Sequence, residues 1–257
     1  MTDYTTITEL PGCKASREQL ARLYQRYHFA YQFCRSKDIL EVACGGGIGL
    51  GYLAKSAKRI IGGDIDEKIL EILKKTYKNK GNIRIVRFCA EHIPFTDKSF
   101  DTVLLYEAIY YVRRPDKFVQ EAARVLRNNG KLIVCSVNKD WKDFNPSPMS
   151  EKYFSVPELY SLLHQVFPEI ELFGAFPVSG AGAKDALTSM IKRMAVGLHL
   201  MPKTMKGKEL FKRFFFGELI PLPLELSGGV VEYSQPTPIR HDIPSSDYKI
   251  LFALASI

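Results

Sequence analysis

The stretch that decides the fold is Asp38–Asp66, DILEVACGGGIGLGYLAKSAKRIIGGDID. It runs from an apolar strand pattern into a glycine cluster, through a helical pattern, and into a second apolar strand that ends in acid. A chain that turns sharply from strand to helix while its backbone approaches a ligand needs glycine, which accepts positive φ and has no Cβ to collide. The helix that follows presents unpaired backbone N–H groups and a positive dipole end. In open α/β sheets ligands settle in the crevice beyond the carboxyl ends of the strands. The hinge at Gly45–Gly47 is therefore the expected ligand site.

Working outward, strand-like runs alternate with helical patterns, which argues for βαβ units and a parallel sheet. Strands are expected near Asp38–Cys44, Arg59–Asp64, Ile83–Phe88, Phe100–Tyr106 and Lys131–Val137. In DEKILEILKKTYKNKG, Ile69, Leu70, Ile72 and Leu73 lie on a helical stripe, with Asp66 as N-cap and Gly81 as the stop. Pro115 and Asp116 open the next helix and Gly130 precedes the next strand; Ser155 caps a further one. EIELFGAFPV reads as a sixth strand and SDYKILFALASI as a last one. Ahead of the first strand, Arg17–Phe33 is an amphipathic helix. These units divide the chain into an N-terminal helical lid (1–35), a core (36–178 with 247–257) and an insertion or cap (179–246).

Composition sets bounds on this reading. With 257 residues, 46% of them hydrophobic and 25% charged, the chain can bury one sizeable core. No apolar run is long enough for a membrane helix, and MTDYTTITELPGCKAS has no signal-peptide pattern, so a cytoplasmic protein is expected. The five cysteines show no close pair at metal-ligand spacing, which points to reduced thiols and no metal site. The net charge of +8 is local: Lys184–Gly217 holds eight basic and two acidic residues. A P-loop is excluded, because no Lys-Ser or Lys-Thr follows the glycines; a dinucleotide G-x-G-x-x-G frame fails at Leu50.

The ordered motifs resemble class I S-adenosylmethionine-dependent methyltransferases of the type 11 group. Glu41-Val42-Ala43-Cys44-Gly45-Gly46-Gly47 is similar to motif I, an acidic residue followed by alternating glycines, with Ala43 where the first glycine is usual. IIGGDID resembles the end of the second strand, and the run from CAEHIPF through SFD to ARVLRNNGKLIV resembles the third to fifth strands. The resemblance implies an α/β, Rossmann-like, seven-stranded sheet of order 3-2-1-4-5-7-6, with the last strand antiparallel, helices on both faces and a C-terminal insertion cap. It implies S-adenosylmethionine as cofactor, held by Gly45, Gly47 and the hinge residues Glu41 and Ala43. Asp64 would take the ribose hydroxyls, with Ile65 against the adenine. Cys89 stands where an Asp is frequent, which leaves adenine recognition to Ala90 and Glu91. RYHFAYQFC resembles the helix of glycan-sugar methyltransferases whose Arg-Tyr pair closes over the cofactor, and Arg26 and Tyr27 match it; a surface Arg and a core Tyr is the rival reading. Tyr106 and Glu107, at the carboxyl end of the fourth strand, would lie beside the reacting centre, Tyr106 as a wall.

The expected activity is methyl transfer to an O, N or C nucleophile of a small metabolite or a sugar or glycan precursor. Alternatives are an RNA methyltransferase and a non-catalytic cofactor-binding regulator. YEAIYYV lacks the N/D-P-P-Y/F pattern that holds a flipped base, and no strong nucleic-acid signal is found. Tyr110 and Tyr111 are the catalytic candidates; His92, His164, His199 and His241 are eligible by chemistry but have no placed partner. The insertion over 184–226 reads as a packed cap with solvated lysines. The sharper alternative is peripheral contact with an anionic inner membrane face, or with a lipid-linked acceptor.

Overall fold

The structure, a computed structural model, describes residues 8–147, 149–178 and 219–257. After a two-residue strand β1 (Lys14–Ala15) and helix α1 (Arg17–Tyr31), strands and helices alternate. They are β2 (Asp38–Val42), α2 (Leu50–Ala54), β3 (Arg59–Asp64), α3 (Glu67–Thr76), β4 (Ile83–Arg87), β5 (Phe100–Tyr106), α4 (Pro115–Val125), β6 (Leu126–Val137), α5 (Val156–His164) and β7 (Glu169–Pro177). Three strands follow the segment 179–218: β8 (Ile220–Pro221), β9 (Thr237–Pro238) and β10 (Tyr248–Ser256).

The main sheet has the order β4-β3-β2-β5-β6-β10-β7-β9. Its seven long strands, counted along the chain, stand 3-2-1-4-5-7-6, and β9 adds a short eighth at the edge. β2 to β6 are parallel, whereas β10 runs antiparallel to both β6 and β7. Every residue of β2 is buried, as expected of a central strand covered on both faces. The two-residue alternation divides it: Ile39 joins a core with Phe29, Leu104 and Phe252, and Leu40 and Val42 join the opposite one with Val103, Phe118 and Leu163. The sheet is thus a wall between two apolar layers, and its carboxyl edge carries the polar groups that follow.

Local chemistry starts the helices where expected. The Asp66 side chain accepts from the Lys68 and Ile69 amides to cap α3. Ser155 and Glu158 form a reciprocal capping box on α5, and Ser16 and Gln19 form another on α1. Two boundaries differ from expectation. α3 ends at Thr76 rather than near Gly81, because Tyr77 turns inward and its hydroxyl donates to the Gly47 carbonyl at 2.8 Å. β6 begins at Leu126, which pairs with Phe100 before the chain bulges through Asn129 (φ 62) and resumes with Lys131 opposite Thr102.

α1 belongs to the core rather than lying apart as a lid: Phe29 packs at 5.5 Å from Phe173 and 5.2 Å from Phe252, ring centre to ring centre. The described part of the insertion, 219–246, is also tied in. β8 pairs with β1, β9 extends the sheet beyond β7, and the Gly229 amide donates to the Tyr24 hydroxyl. The amphipathic pattern at Leu187–Leu198, the basic run and FKRFFF lie outside the described residues, as does part of the proposed membrane contact. Among the described residues, no helix is long and apolar enough to cross a membrane.

Candidate functional site

The chain leaves β2 through three left-handed residues, Ala43 (φ 53), Gly45 (φ 50) and Gly47 (φ 58). The bend is packed so closely that side chains have no room. A Cβ on Gly47 would fall 2.7 Å from Leu73 Cδ2, and one on Gly49 would fall 2.1 Å from the Tyr27 ring. Asp64, at the end of the neighbouring β3, ties the two strand ends together. One carboxylate oxygen accepts from the Gly45 amide and the other from the Asp66 amide, both at 3.0 Å. Burial raises the Asp64 pKa, and these backbone donors hold it back. A carboxylate has about four acceptor sites, so these amides leave Asp64, which lines the cavity, able to accept further.

Above the bend lies a cavity of about 790 Å³. On one wall Tyr27 donates to Glu41 Oε1 at 2.6 Å, while Glu41 Oε2, Arg26 Nε and the Tyr106 hydroxyl are buried without a hydrogen-bond partner. Glu41 is 1% exposed, and burial pushes its pKa to about 7 against the Tyr27 hydrogen bond and the Arg26 charge. A buried acceptor and a buried donor left open on one cavity wall match a ligand end that carries an ammonium and a carboxylate. The other wall offers Asp64 beside Ile65, an apolar side chain that is 44% exposed at the cavity.

At the end of β5, on the side that Arg26 faces, Glu107 takes φ 50, a conformation in which a non-glycine residue is strained. The Tyr110 hydroxyl donates to Glu107 Oε2 at 2.9 Å, and Cys135 Sγ lies 3.6 Å from Oε1. Burial raises the pKa of Glu107 and pushes the Tyr110 phenol well above its usual value. Tyr110 stacks on Tyr153 at 4.2 Å, and the Tyr111 hydroxyl meets Ser147 Oγ at 2.9 Å.

All of the residues named from the sequence line this one cavity: Arg26, Tyr27, Glu41, Ala43, Gly45, Gly47, Asp64, Ile65, Ala90, Glu91, Tyr106, Tyr110 and Tyr111. Their postures differ from the roles inferred. Tyr27 lies against Gly49 behind the hinge, where it holds Glu41, rather than closing over the cavity from outside. Arg26 is buried and pairs with Glu9. Glu91 accepts from the Arg114 amide at 3.0 Å, which leaves its other oxygen for the cavity. Glu9, Arg22 and Tyr77 carry no sequence signal for a site, whereas Glu107 stands where expected, beside Tyr106 at the end of the strand. Glu9 has no periodic or motif signal, and nothing local marks Tyr77 as the prop of the Gly47 carbonyl. Glu107, directly after the β5 pattern, carried the one usable sign, since strand ends of this sheet point at ligands. His92 and His164 are not in the cavity lining, and His241 stacks on Tyr160 at 4.0 Å instead. No group of three or more His, Cys, Asp or Glu that could hold a metal occurs among the described residues.

Residues 40–134 match a family described as a methyltransferase domain. A probable S-adenosylmethionine-dependent methyltransferase of Mycobacterium tuberculosis is 28% identical over 162 residues, 60% of this chain and 58% of that protein. A demethylmenaquinone methyltransferase of Tropheryma whipplei is 29% identical over 127 residues, 49% of this chain and 53% of that protein. The chain thus spans under two thirds of the length of these relatives. A SAM-dependent methyltransferase from Aquifex aeolicus superposes with a TM-score of 0.52 at 20% identity, over 67% of this chain and 90% of that one. The [4+2]-cyclase SpnF does so with 0.59 at 16% identity, over 94% and 82%. The last two likenesses establish fold alone. Residues 40–134 thus match a methyltransferase domain, and the sheet order and the glycine hinge agree with that match.

Proposed function

We propose that this chain is a methyltransferase that uses S-adenosylmethionine and acts on a small ring-bearing metabolite or sugar precursor. The observation that carries the reading is the pair of open groups, Glu41 Oε2 and Arg26 Nε, in the same cavity as the bare backbone of Gly45–Gly47 and Asp64. In this reading Glu41 accepts from the cofactor's ammonium and Arg26 donates to its carboxylate. Asp64 accepts from the ribose hydroxyls with its remaining lone pairs, and Ile65 covers one face of the base. When bound, the cofactor supplies a methyl group activated on a sulfonium. The protein's part is then to hold the acceptor in line with that methyl group and to keep water out, since alignment is the larger share of such a transfer.

The acceptor is assigned to the Glu107 end. Its wall of Tyr110 and Tyr111, with Tyr153 stacked behind, favours a ring, aromatic or sugar, and Glu107 gives it a carboxylate to bond. Similarity to a demethylmenaquinone methyltransferase supports testing a quinol among the acceptors. The test is calorimetry with S-adenosylmethionine and S-adenosylhomocysteine, followed by transfer of labelled methyl to fractionated small metabolites, to a naphthoquinol and to total RNA. Label in a small-molecule fraction supports the reading. Label in RNA alone moves it to the RNA alternative, and binding without any labelled product moves it to the regulatory one. The contact with anionic membrane, proposed from the basic run at 184–226, is tested separately by sedimentation with anionic vesicles; binding indifferent to salt and to charge reversal at Lys206 and Lys208 overturns it.

A further inference from the structure

Arg26 already has a carboxylate, and it comes from this chain. The segment Thr8–Leu10 lies across the hinge: a Cβ on Gly46 would fall 2.3 Å from the Glu9 carbonyl oxygen, and one on Gly45 would fall 3.0 Å from Thr8 Cγ2. The segment is fastened just beyond that point. The Gly12 amide donates to the Leu222 carbonyl and the Leu222 amide to the Cys13 carbonyl, both at 2.9 Å, and β1 pairs with β8. From that anchor it reaches back to the cavity, where the Glu9 carboxylate pairs with the Arg26 guanidinium.

The pair is unequal. Arg26 is 7% exposed, whereas the Glu9 side chain is 37% exposed at the cavity rim. A buried guanidinium left without a counter-charge is strongly unfavourable, but a rim carboxylate loses little by returning to water. Among the groups facing Arg26 are Glu9, Tyr27, Glu107 and Cys135, which outweigh the effect of burial and keep it charged. Arg26 therefore requires an anion at all times, and Glu9 is the partner that can be exchanged for another. A ligand carboxylate arriving at Arg26 has to share that guanidinium or take it.

We propose that Glu9 is a resident counter-ion which competes with the ligand's carboxylate for Arg26, so that entry of the amino-acid end of the cofactor releases the strap Thr8–Leu10 from the hinge. The inference rests on the cofactor reading given above. It makes the N-terminal strap an internal competitor of ligands that bring a carboxylate to Arg26, and leaves ligands without one unopposed at that residue.

The test compares the full chain and Glu9→Gln with two probes, S-adenosylhomocysteine and methylthioadenosine, which keeps the adenosine and sulfur but has no amino-acid end. In Glu9→Gln the free protein has lost the exchangeable anion paired with Arg26 while the bound state keeps the ligand's. S-adenosylhomocysteine is therefore expected to bind roughly tenfold more tightly to the variant, and methylthioadenosine equally to both. The variant alone melts below the wild type, and saturating S-adenosylhomocysteine closes the gap. Independently of any variant, amide exchange at residues 8–10 of the wild type speeds up when S-adenosylhomocysteine is added. Equal or weaker binding of S-adenosylhomocysteine by Glu9→Gln overturns the proposal, as does slower exchange at 8–10, which would make the segment a lid that closes on its ligand. Failure of both probes to bind either protein is a different result and overturns the cofactor reading itself.

Discussion

Tyr27 donates its hydroxyl to Glu41 at 2.6 Å from behind the glycine hinge, its ring filling the space that a Cβ on Gly49 would need. One side chain thus sets both the backbone bend and the orientation of the carboxylate at the end of β2. Burial raises the Glu41 pKa to about 7 from its ordinary 4.5, with Tyr27 and Arg26 opposing the rise. An acid whose folded pKa is raised contributes stability that is fully present below its unfolded value and lost as pH rises through the folded one. Glu41→Gln, which cannot ionise, should remove that share of the pH dependence between about 4.5 and 7. Urea denaturation of both proteins across this range checks it, and parallel curves would refute the titration of Glu41.

The same carboxyl couples to the ligand. An ammonium placed at Oε2 favours the charged form, so S-adenosylhomocysteine binding at pH 6 should release about one proton from Glu41. Affinity should then rise with pH up to about 7. Calorimetry in two buffers of different ionisation heat reads the proton directly, and Glu41→Gln should show none from this site.

Two substitutions probe the mechanical half of the arrangement. Gly49→Ala forces a methyl group into the Tyr27 ring and should destabilise by about 1–3 kcal/mol. Tyr27→Phe leaves Glu41 without its donor and should cost a similar amount, roughly 1–3 kcal/mol, with the Glu41 titration displaced further upward. Thermal melts at pH 5 and pH 8 separate the two, because only the second effect grows once Glu41 is charged.

Within the hinge, Ala43 is the position where a left-handed φ, here 53°, meets a residue with a Cβ. Ala43→Gly relieves that strain and should stabilise by about 1 kcal/mol, net of the extra freedom of glycine in the unfolded chain. Chemical denaturation checks the sign; a loss of stability would mean that the Ala43 methyl group packs better than its backbone suffers.

The fold was legible because the buried strands leave a strong mark. Ile39, Leu40 and Val42 in β2 and Val103–Leu105 in β5 place apolar groups on both faces, and α1, α3, α4 and α5 begin at a side chain able to cap them or at proline. The hinge was legible from Gly45 and Gly47 because their positive φ has few alternatives among residues. What sequence could not reveal depends on distant contacts. Tyr77 bonds Gly47 across 30 residues, and Glu9 finds Arg26 only because β1 and β8 fasten the strap beside the hinge. The end of α3 was misplaced for the same reason, since the pull of Tyr77 on the hinge is tertiary and leaves no local signal.

Asp64 joins β3 to the hinge through the Gly45 and Asp66 amides. Asp64→Asn turns one of those acceptors into a donor facing an N–H and removes the charge that strengthens the other bond. S-adenosylhomocysteine affinity should fall about tenfold to a hundredfold, and stability by roughly 1–3 kcal/mol. If affinity is unchanged while stability falls, Asp64 serves the hinge alone and makes no contact with ribose.

Glu107 lines the cavity at the end of β5 in a strained conformation, with Tyr110 donating to it. An acceptor atom that carries a proton must lose it as its bond to the methyl carbon forms, and Glu107, bonded by Tyr110, is a carboxylate able to take it. With the acceptor recovered from the labelled metabolite fractions, Glu107→Gln should leave S-adenosylhomocysteine affinity nearly intact and lower kcat by about 10²- to 10⁴-fold, with loss of the acidic limb of the pH–rate profile. Tyr110→Phe should keep most of the rate but move that limb to higher pH, since the Tyr110 hydrogen bond holds the Glu107 pKa down. A matched rise in KM with kcat untouched would instead assign Glu107 to holding the acceptor, with the proton leaving by way of solvent.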